Sequence, residues 1–341
     1  MMERIQALCK LEGISGREDT VRDYIKQELA KSPASMEVKT DPLGNLLVHV
    51  EGQQRAAKRV LFAAHMDEVG LIITSATSEG FLRFATVGGI DPRVLYGRRV
   101  RANGHWGVIG GKAMHLCDGD EKRTVPPADI LLIDIGATNH NRALTAVPVG
   151  TSVTLDGEFR QLGELVTARA LDDRIGCALL LELVQDIPPY DLLLAFTVQE
   201  EIGTRGAMTA AYTLKPDIAV AVETTTAADI ADVPTEQQVC CIGKGAVLSF
   251  MDRCALYDRA LYEGILRLAG ERNIPAQPKQ AVAGGNDAGA LQRAGSGCRV
   301  AAVSVPCRYL HSAACTVSPA DVESTAHLLR MLTDILPQGA L

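Results

Sequence analysis

Apolar residues recur every three to four positions in two segments near the start of the chain, Arg4–Leu11 and Glu18–Lys31, and this spacing predicts two amphipathic helices. The second places Val21, Tyr24, Ile25 and Leu29 on one face, with Pro33 just beyond its end. Strand-like runs follow at Met36–Thr40, at Leu46–Val50 after the turn Pro42-Leu43-Gly44-Asn45, and at Val60–Ala64. The texture then changes. From Leu71 to about Leu165 only short strand-like pieces occur (Leu71–Thr74, Phe81–Phe84, Ser152–Leu155), separated by clusters of Gly, Asp, Asn and Pro. No ten-residue helical period interrupts them, and the stretch predicts a small all-β unit.

After Leu171 helix and strand alternate again. Helices are predicted over Asp173–Leu183, Thr204–Tyr212, Tyr257–Glu271, Ala288–Arg293 and Ala320–Ile335. Continuous apolar runs at Leu192–Val198, Ile218–Val222, Ala246–Phe250 and Val300–Val305 predict buried strands between them. The fold class expected is α/β, a mixed sheet covered by helices on both faces and interrupted by an inserted β domain. Residues 1–69 and 166–341 form the α/β unit in this reading, and 70–165 the insertion.

Composition narrows the function. The chain has 341 residues, 47% of them hydrophobic, enough to bury a core without disulfide staples. Its 34 basic and 41 acidic residues give a net charge of −7, with no basic cluster to attract nucleic acid. The longest apolar runs are far too short to cross a bilayer, so no membrane partner is expected. The opening MMERIQALCKLEG lacks the apolar core of a secretory signal, and nine cysteines without a CxxC pair fit a reducing compartment. A cytoplasmic location is therefore expected.

The chemistry lies in where acids and imidazoles fall. His65 and Asp67 follow the run Val60–Ala64, at the strand end where ligands collect in open α/β sheets. Two residues apart on a strand they face one side, so the Asp67 carboxylate can orient the imidazole and leave its other nitrogen for a metal. A hydrogen-bonded structural pair is the alternative. Asp172-Asp173 precedes a helix, either as a cap or as a cation ligand. Glu200-Glu201 ends the strand Leu192–Val198. Adjacent carboxylates at a buried strand end need a cation or a proton, and their divergent side chains suit a ligand and a general base. Glu223 ends Ile218–Val222, and His311 follows Val300–Val305.

Each group alone has a structural explanation. Jointly they form a His/Asp/Glu/Glu/His set suited to zinc, cobalt or manganese, sufficient for two divalent ions with one bridging ligand. His49, His105, His115, His140 and His327 are read as surface or packing residues, and Cys177 as core. Gly284-Gly285-Asn286-Asp287 lacks a phosphate-loop context; Asp287 either caps a helix or approaches the site.

The segments AAHMDEVG (63–70), ALDDRIGC (170–177), FTVQEEIGTRGA (196–207), AVETTTAAD (221–229) and VPCRYLHS (305–312) resemble the glutamyl/deblocking, or tetrahedral, aminopeptidases, a family of dinuclear metallopeptidases. Some bacterial members of that family carry the label endoglucanase. The resemblance implies that His65 and Glu223 bind one metal, Glu201 and His311 the second, and Asp172 bridges them next to a cis peptide to Asp173. It further implies Glu200 as general base and acid, and Asp67 as the residue that orients His65. Many members have Asp where this chain has Glu223, whose extra methylene would move the ion or alter how a substrate amine docks. The resemblance also implies that the insertion is barrel-like and makes subunit contacts, in dimers and tetrahedral dodecamers that enclose their active sites.

The expected activity is removal of N-terminal residues from peptides, using two divalent ions per subunit, zinc or cobalt before manganese. Two other classes compete. A glycoside hydrolase would need its carboxyl pair about 5–9.5 Å apart across a bond. Adjacent Glu200 and Glu201 suit that poorly, and one Trp with 4% aromatics offers little sugar stacking. A non-catalytic metal-binding assembly protein would have no use for Glu200.

Overall fold

Along each central strand, odd and even side chains enter different clusters, because successive residues on a strand face opposite sides of the sheet. Val60, Phe62 and Ala64 pack on one face, and Leu61 and Ala63 on the other. Leu194 and Phe196 against Leu193 and Ala195, and Val220 and Val222 against Ala219 and Ala221, repeat the division. The computed structural model describes residues Met1–Leu341.

These strands belong to an eight-stranded mixed sheet in the spatial order Met36–Thr40, Leu46–Val50, Leu192–Thr197, Val60–His65, Ile218–Thr226, Arg299–Cys307, Ala246–Leu248, Ala276–Pro278. The four central strands run parallel. Their antiparallel neighbours Leu46–Val50 and Ala246–Leu248 lie outside them. The face with large side chains is covered by helices Met2–Lys10, Asp19–Leu29, Leu171–Glu182, Arg259–Glu271 and Pro319–Ile335. The other face is lined mainly by alanine, and the short helices Arg205–Leu214 and Ala288–Arg293 lie on it through Ala207, Ala210, Ala211, Ala288 and Ala290. Both faces are thus covered, as the alternating pattern predicts.

A closed six-stranded barrel interrupts this unit. Its strands are joined in the order Gly70–Ala76, Leu82–Val87, Leu132–Asp134, His105–Gly110, Arg99–Ala102, Ser152–Leu155, and the last pairs back to the first. Leu71, Ile73, Leu82, Val100, Ile109, Ile133 and Val153 form its core. One α-helix, His140–Ala146, lies within this stretch; at seven residues it is too short to leave a helical period in the sequence. The chain leaves the barrel through a hairpin, Arg160–Leu162 and Leu165–Ala168, which pairs with Cys315–Val317.

The alanine face sets a testable limit on packing. Ala221 is fully buried there, and overpacking a close-packed site costs about 1–3 kcal/mol. Ala221→Leu should lower the urea midpoint by the equivalent of that cost, whereas Val38→Leu on the exposed edge strand should leave it nearly unchanged.

Candidate active site

The parallel strands end together, and the longer ones carry the polar groups into the space beyond. Ile218–Thr226 pairs with Val60–His65 only as far as Ala221 opposite Ala63. Past that point it continues against Arg299–Cys307, with Glu223 opposite Ser304 and Thr226 opposite Cys307. Glu223 therefore sits within a nine-residue strand rather than at its end, as the apolar run alone implies. It faces the gap left by its shorter neighbour.

The five proposed ligands converge here. His65 Nε2 lies 3.3 Å from Asp172 Oδ1 and 3.6 Å from Glu223 Oε2. His311 Nε2 lies 3.3 Å from Asp172 Oδ2 and 3.2 Å from Glu201 Oε2. Asp172 thus presents one oxygen to each imidazole, and each imidazole has a second carboxylate of its own. Asp172 precedes the helical turns of Leu171–Glu182 in extended conformation, and its peptide to Asp173 is cis. Asp173 Oδ1 accepts the Gly176 N–H at 3.0 Å, the capping role read from sequence, while its other oxygen is buried without a partner. Asp173 also belongs with His65 and Glu223 in a set of ligand atoms lying within 4.8 Å of one another.

Asp67 acts differently from the expectation. His65 Nδ1 lies 3.0 Å from the Asp67 main-chain oxygen and 3.6 Å from its carboxylate, so the backbone carbonyl is the ring's hydrogen-bond partner. The carboxylate turns to the neighbouring loop. It accepts the main-chain N–H groups of Glu200 and Glu201 at 3.0 and 3.1 Å and the Ser15 hydroxyl at 2.6 Å. Asp67 therefore positions the Glu200-Glu201 pair. The same loop is held by Asn45, whose side-chain oxygen accepts the Val198 N–H at 3.0 Å. His311 has a left-handed backbone (φ 57°), and its Nδ1 lies 2.8 Å from the carbonyl oxygen of Gly89, a residue of the barrel.

The set is short of positive charge. Burial pushes Glu200 well above the usual carboxylate range, and the Asp287, Glu201 and Asp172 carboxylates add to the shift. Burial followed by Asp172 raises Glu201, and burial raises Asp287 to about 6. Burial opposes charge on the imidazoles, yet carboxylates outweigh it: Asp172 and Glu201 lift His311 to about 10, and Asp172, Asp67 and Glu223 hold His65 well above its ordinary value. Glu223 Oε1 and Asp287 Oδ1 are buried with no partner. Imidazole and carboxylate donors, crowded and under-neutralised, fit divalent cations. His65, Asp172, Glu200, Glu201, Glu223 and His311 line a cleft of about 500 Å³ that also includes Thr224–Thr226, Lys279 and Asn286.

Asp287, read from sequence as either a helix cap or a residue near the site, accepts the Thr197 hydroxyl at 2.5 Å and makes no side-chain cap to the helix it precedes. Other contributors have no sequence signal of their own. Glu68 pairs with Arg169 and with the fully buried Arg174. Arg174 also donates to the Leu8 carbonyl at 2.9 Å, and Arg169 to that of Leu11 at 3.0 Å. This network fastens the N-terminal segment behind the site. The other five histidines are all exposed, and Cys177 is buried with its thiol donating to the His65 carbonyl.

Comparison with known proteins agrees with this geometry. The sequence profile of the M42 glutamyl aminopeptidase family matches residues 44–328. A putative aminopeptidase of Acetivibrio thermocellus is 34% identical over 331 residues, 96% of this chain and 97% of the relative. Among solved structures, the TET1 peptidase of Pyrococcus horikoshii, described as assembling into a tetrahedron or a large octahedral shell, superposes with a TM-score of 0.84 at 35% identity, covering 97% of this chain and 98% of that one. A Thermotoga maritima protein described as an endoglucanase superposes with a TM-score of 0.79 at 30% identity over 96% of each chain. Fold and family together define a peptide hydrolase that acts at chain ends, an aminopeptidase. The chain belongs to the M42 glutamyl aminopeptidase family.

The network behind the site can be tested directly. Removing one partner of a buried ion pair leaves an uncompensated charge, at a cost of about 3–5 kcal/mol. Arg174→Met should lower stability by that order in chemical denaturation, and far more than Arg259→Met on an exposed helix face.

Proposed function

We propose that this chain is a dinuclear metal-dependent aminopeptidase that hydrolyses the N-terminal peptide bond of peptides. The observation that carries the reading is Asp172, with one oxygen 3.3 Å from His65 Nε2 and the other 3.3 Å from His311 Nε2. A single carboxylate between two imidazoles, each with a further acid, is a ligand arrangement for two ions sharing one bridge. His65 and Glu223 would hold one ion, Glu201 and His311 the other. Zinc, cobalt and manganese all suit such donors.

Bound divalent ions would supply Lewis-acid polarisation of the scissile carbonyl and acidify the attacking water. The chain's own residues do the rest. Glu200, fixed through its main-chain N–H by Asp67, takes the water's proton and returns it to the departing amine nitrogen. The free α-ammonium of the substrate finds its counter-charge in Glu223 or an adjacent acid, which restricts cleavage to the chain end. An imidazole that ligates through Nε2 does so in its neutral form, and Nδ1 of each ring faces a carbonyl oxygen, of Asp67 for His65 and of Gly89 for His311, that would accept the remaining proton.

The barrel extends this reading to assembly. Residues 70–165 would act as an oligomerisation domain between the catalytic segments 1–69 and 166–341, with Trp106, Val108 and Ile130 among its exposed apolar side chains. A homo-oligomer built from dimers, up to a tetrahedral dodecamer, follows by analogy with the TET1 peptidase. Light scattering should then give a multiple of the 36.4 kDa chain mass. A cytoplasmic location fits peptide turnover.

Glu200→Gln should retain bound metal by elemental analysis yet lower kcat on leucyl-p-nitroanilide by at least about 10²–10⁴-fold. A near-wild-type rate would remove Glu200 as the base. Exhaustive chelation should abolish peptidase activity and lower Tm, and cobalt or zinc should restore both. A carboxylate-only glycosidase would be indifferent to that treatment.

A further inference from the structure

Four carboxylates of the donor set, Asp172, Glu200, Glu201 and Glu223, line the cleft. They suit cations and the amine end of a peptide, but a peptide also brings carbonyl oxygens, and these need hydrogen-bond donors. On the walls, Lys279 is buried and turns its Nζ to the carbonyl oxygen of Ala283 at 2.7 Å. Asn286 differs. It is 8% exposed and lines the same cleft with one end of its amide engaged and the other free.

The main chain settles which end is which. The Ala288 N–H donates to Asn286 Oδ1 at 2.9 Å, and a main-chain donor requires the amide oxygen at that position. The Tyr257 hydroxyl lies 3.2 Å from the same oxygen. Nδ2 is therefore the opposite end. It donates to no group of the chain, and it is not among the polar atoms sealed from solvent without a partner. Its two N–H groups are left to whatever enters the cleft.

The loop behind Asn286 is tied to the strand that carries the base. A Cβ on Gly285 would stand 2.2 Å from Cys254 Sγ and 3.1 Å from Cys254 Cβ, so glycine brings the loop flush against that residue. Asp287, next in sequence, accepts the hydroxyl of Thr197 at 2.5 Å, and Thr197 closes the strand that leads to Glu200. The Asp287 carboxylate is near enough to Glu200 to add to the upward shift of its pKa. An amide carries no charge, so Asn286 leaves the balance of the acids unaltered and matches a neutral acceptor.

We propose that Asn286 donates an amide N–H to a main-chain carbonyl oxygen of the bound peptide, as a catalytic residue that touches the substrate. The inference rests on the aminopeptidase reading above. A main-chain acceptor is common to every peptide, so this contact orients the backbone without selecting a side chain. The acceptor is either the scissile carbonyl, whose oxygen gains charge as water adds, or the carbonyl of the second residue.

The test uses the full-length, metal-loaded enzyme with Asn286→Ser and Asn286→Asp, each of which keeps an oxygen for the Ala288 N–H and loses the amide nitrogen. Asn286→Ser adds no charge, so agreement between the two variants separates the lost donor from a gained acid. Rates are compared on leucyl-p-nitroanilide, which has no peptide carbonyl beyond the scissile one, and on Leu-Gly-Gly, which has. Thermal unfolding and elemental analysis follow fold and metal content. With both at wild-type values, a fall in kcat of about 10²–10³-fold on both substrates assigns Asn286 to the scissile oxygen, the scale of a lost donor to a developing oxyanion. A fall in kcat/KM of about 3–10-fold confined to Leu-Gly-Gly assigns it to the second carbonyl, the scale of one neutral hydrogen bond. Unchanged kinetics on both substrates would overturn the proposal. Losses that track a lower Tm or depleted metal in both variants would overturn it too, making Asn286 a brace for the following helix. A wild type inert towards every aminoacyl substrate would sink the aminopeptidase reading along with it.

Discussion

Like charge confined to one edge of a sheet is the constraint around which this molecule is arranged. Asp67, Asp172, Asp173, Glu223 and Asp287 are each less than a tenth exposed, and Glu200 and Glu201 stand beside them. Carboxylates cannot be gathered in a low-dielectric site at no cost; they must be protonated, hydrogen-bonded or matched by cations. Each solution occurs here. Asp67 accepts three hydrogen bonds, the two imidazoles face acids that favour their protonated form, and Glu223 and Asp287 retain an oxygen apiece that nothing in the chain satisfies. The residual deficit has the sign of a divalent ion.

The rest of the fold makes that concentration sustainable. Parallel strands deliver His65, the Glu200-Glu201 pair and Glu223 to one edge because their carboxyl ends coincide. The covering helices and the sheet's two hydrophobic clusters supply the apolar burial that offsets the electrostatic cost. Behind the acids, the Glu68, Arg169 and Arg174 network ties the N-terminal segment to both sides of the site. Its positive charge is spent locally on Glu68 and on main-chain carbonyls. It anchors the walls and leaves the charge deficit of the cleft in place.

Much of this was legible before any coordinates. Periodicity located the central strands and covering helices, because strands buried on both faces read as continuous apolar runs. Strand ends located His65, Glu200, Glu201 and Glu223, because an ionisable residue at the close of an apolar run is conspicuous, while Asp172 stood out at a helix start and His311 in a loop past its strand. What periodicity could not supply was side-chain direction. Whether Asp67 turned toward His65 or toward the loop depended on where Glu200 N–H lay, a contact more than a hundred residues away in sequence. The extension of Ile218–Thr226 past Val222 was hidden for a similar reason: Glu223 and three threonines look like a loop until the pairing with Arg299–Cys307 is known. Lys279 gave no signal at all, being a single lysine in a polar stretch whose burial is a property of the assembled walls.

The hydrogen bond from His311 to Gly89 joins the barrel to the sheet edge, and Ala313, two residues further on, packs in the barrel's own core. The ring's tilt is set by a carbonyl that moves with the barrel, while its other nitrogen faces acids that move with the sheet. A pivot of the barrel by an ångström would break or strain that contact and swing the imidazole away from Asp172 and Glu201. By reciprocity, whatever fastens the imidazole also helps hold the barrel against the sheet. The seating of the insertion and the aim of the His311 ring are in this way a single property, met at two ends of one imidazole.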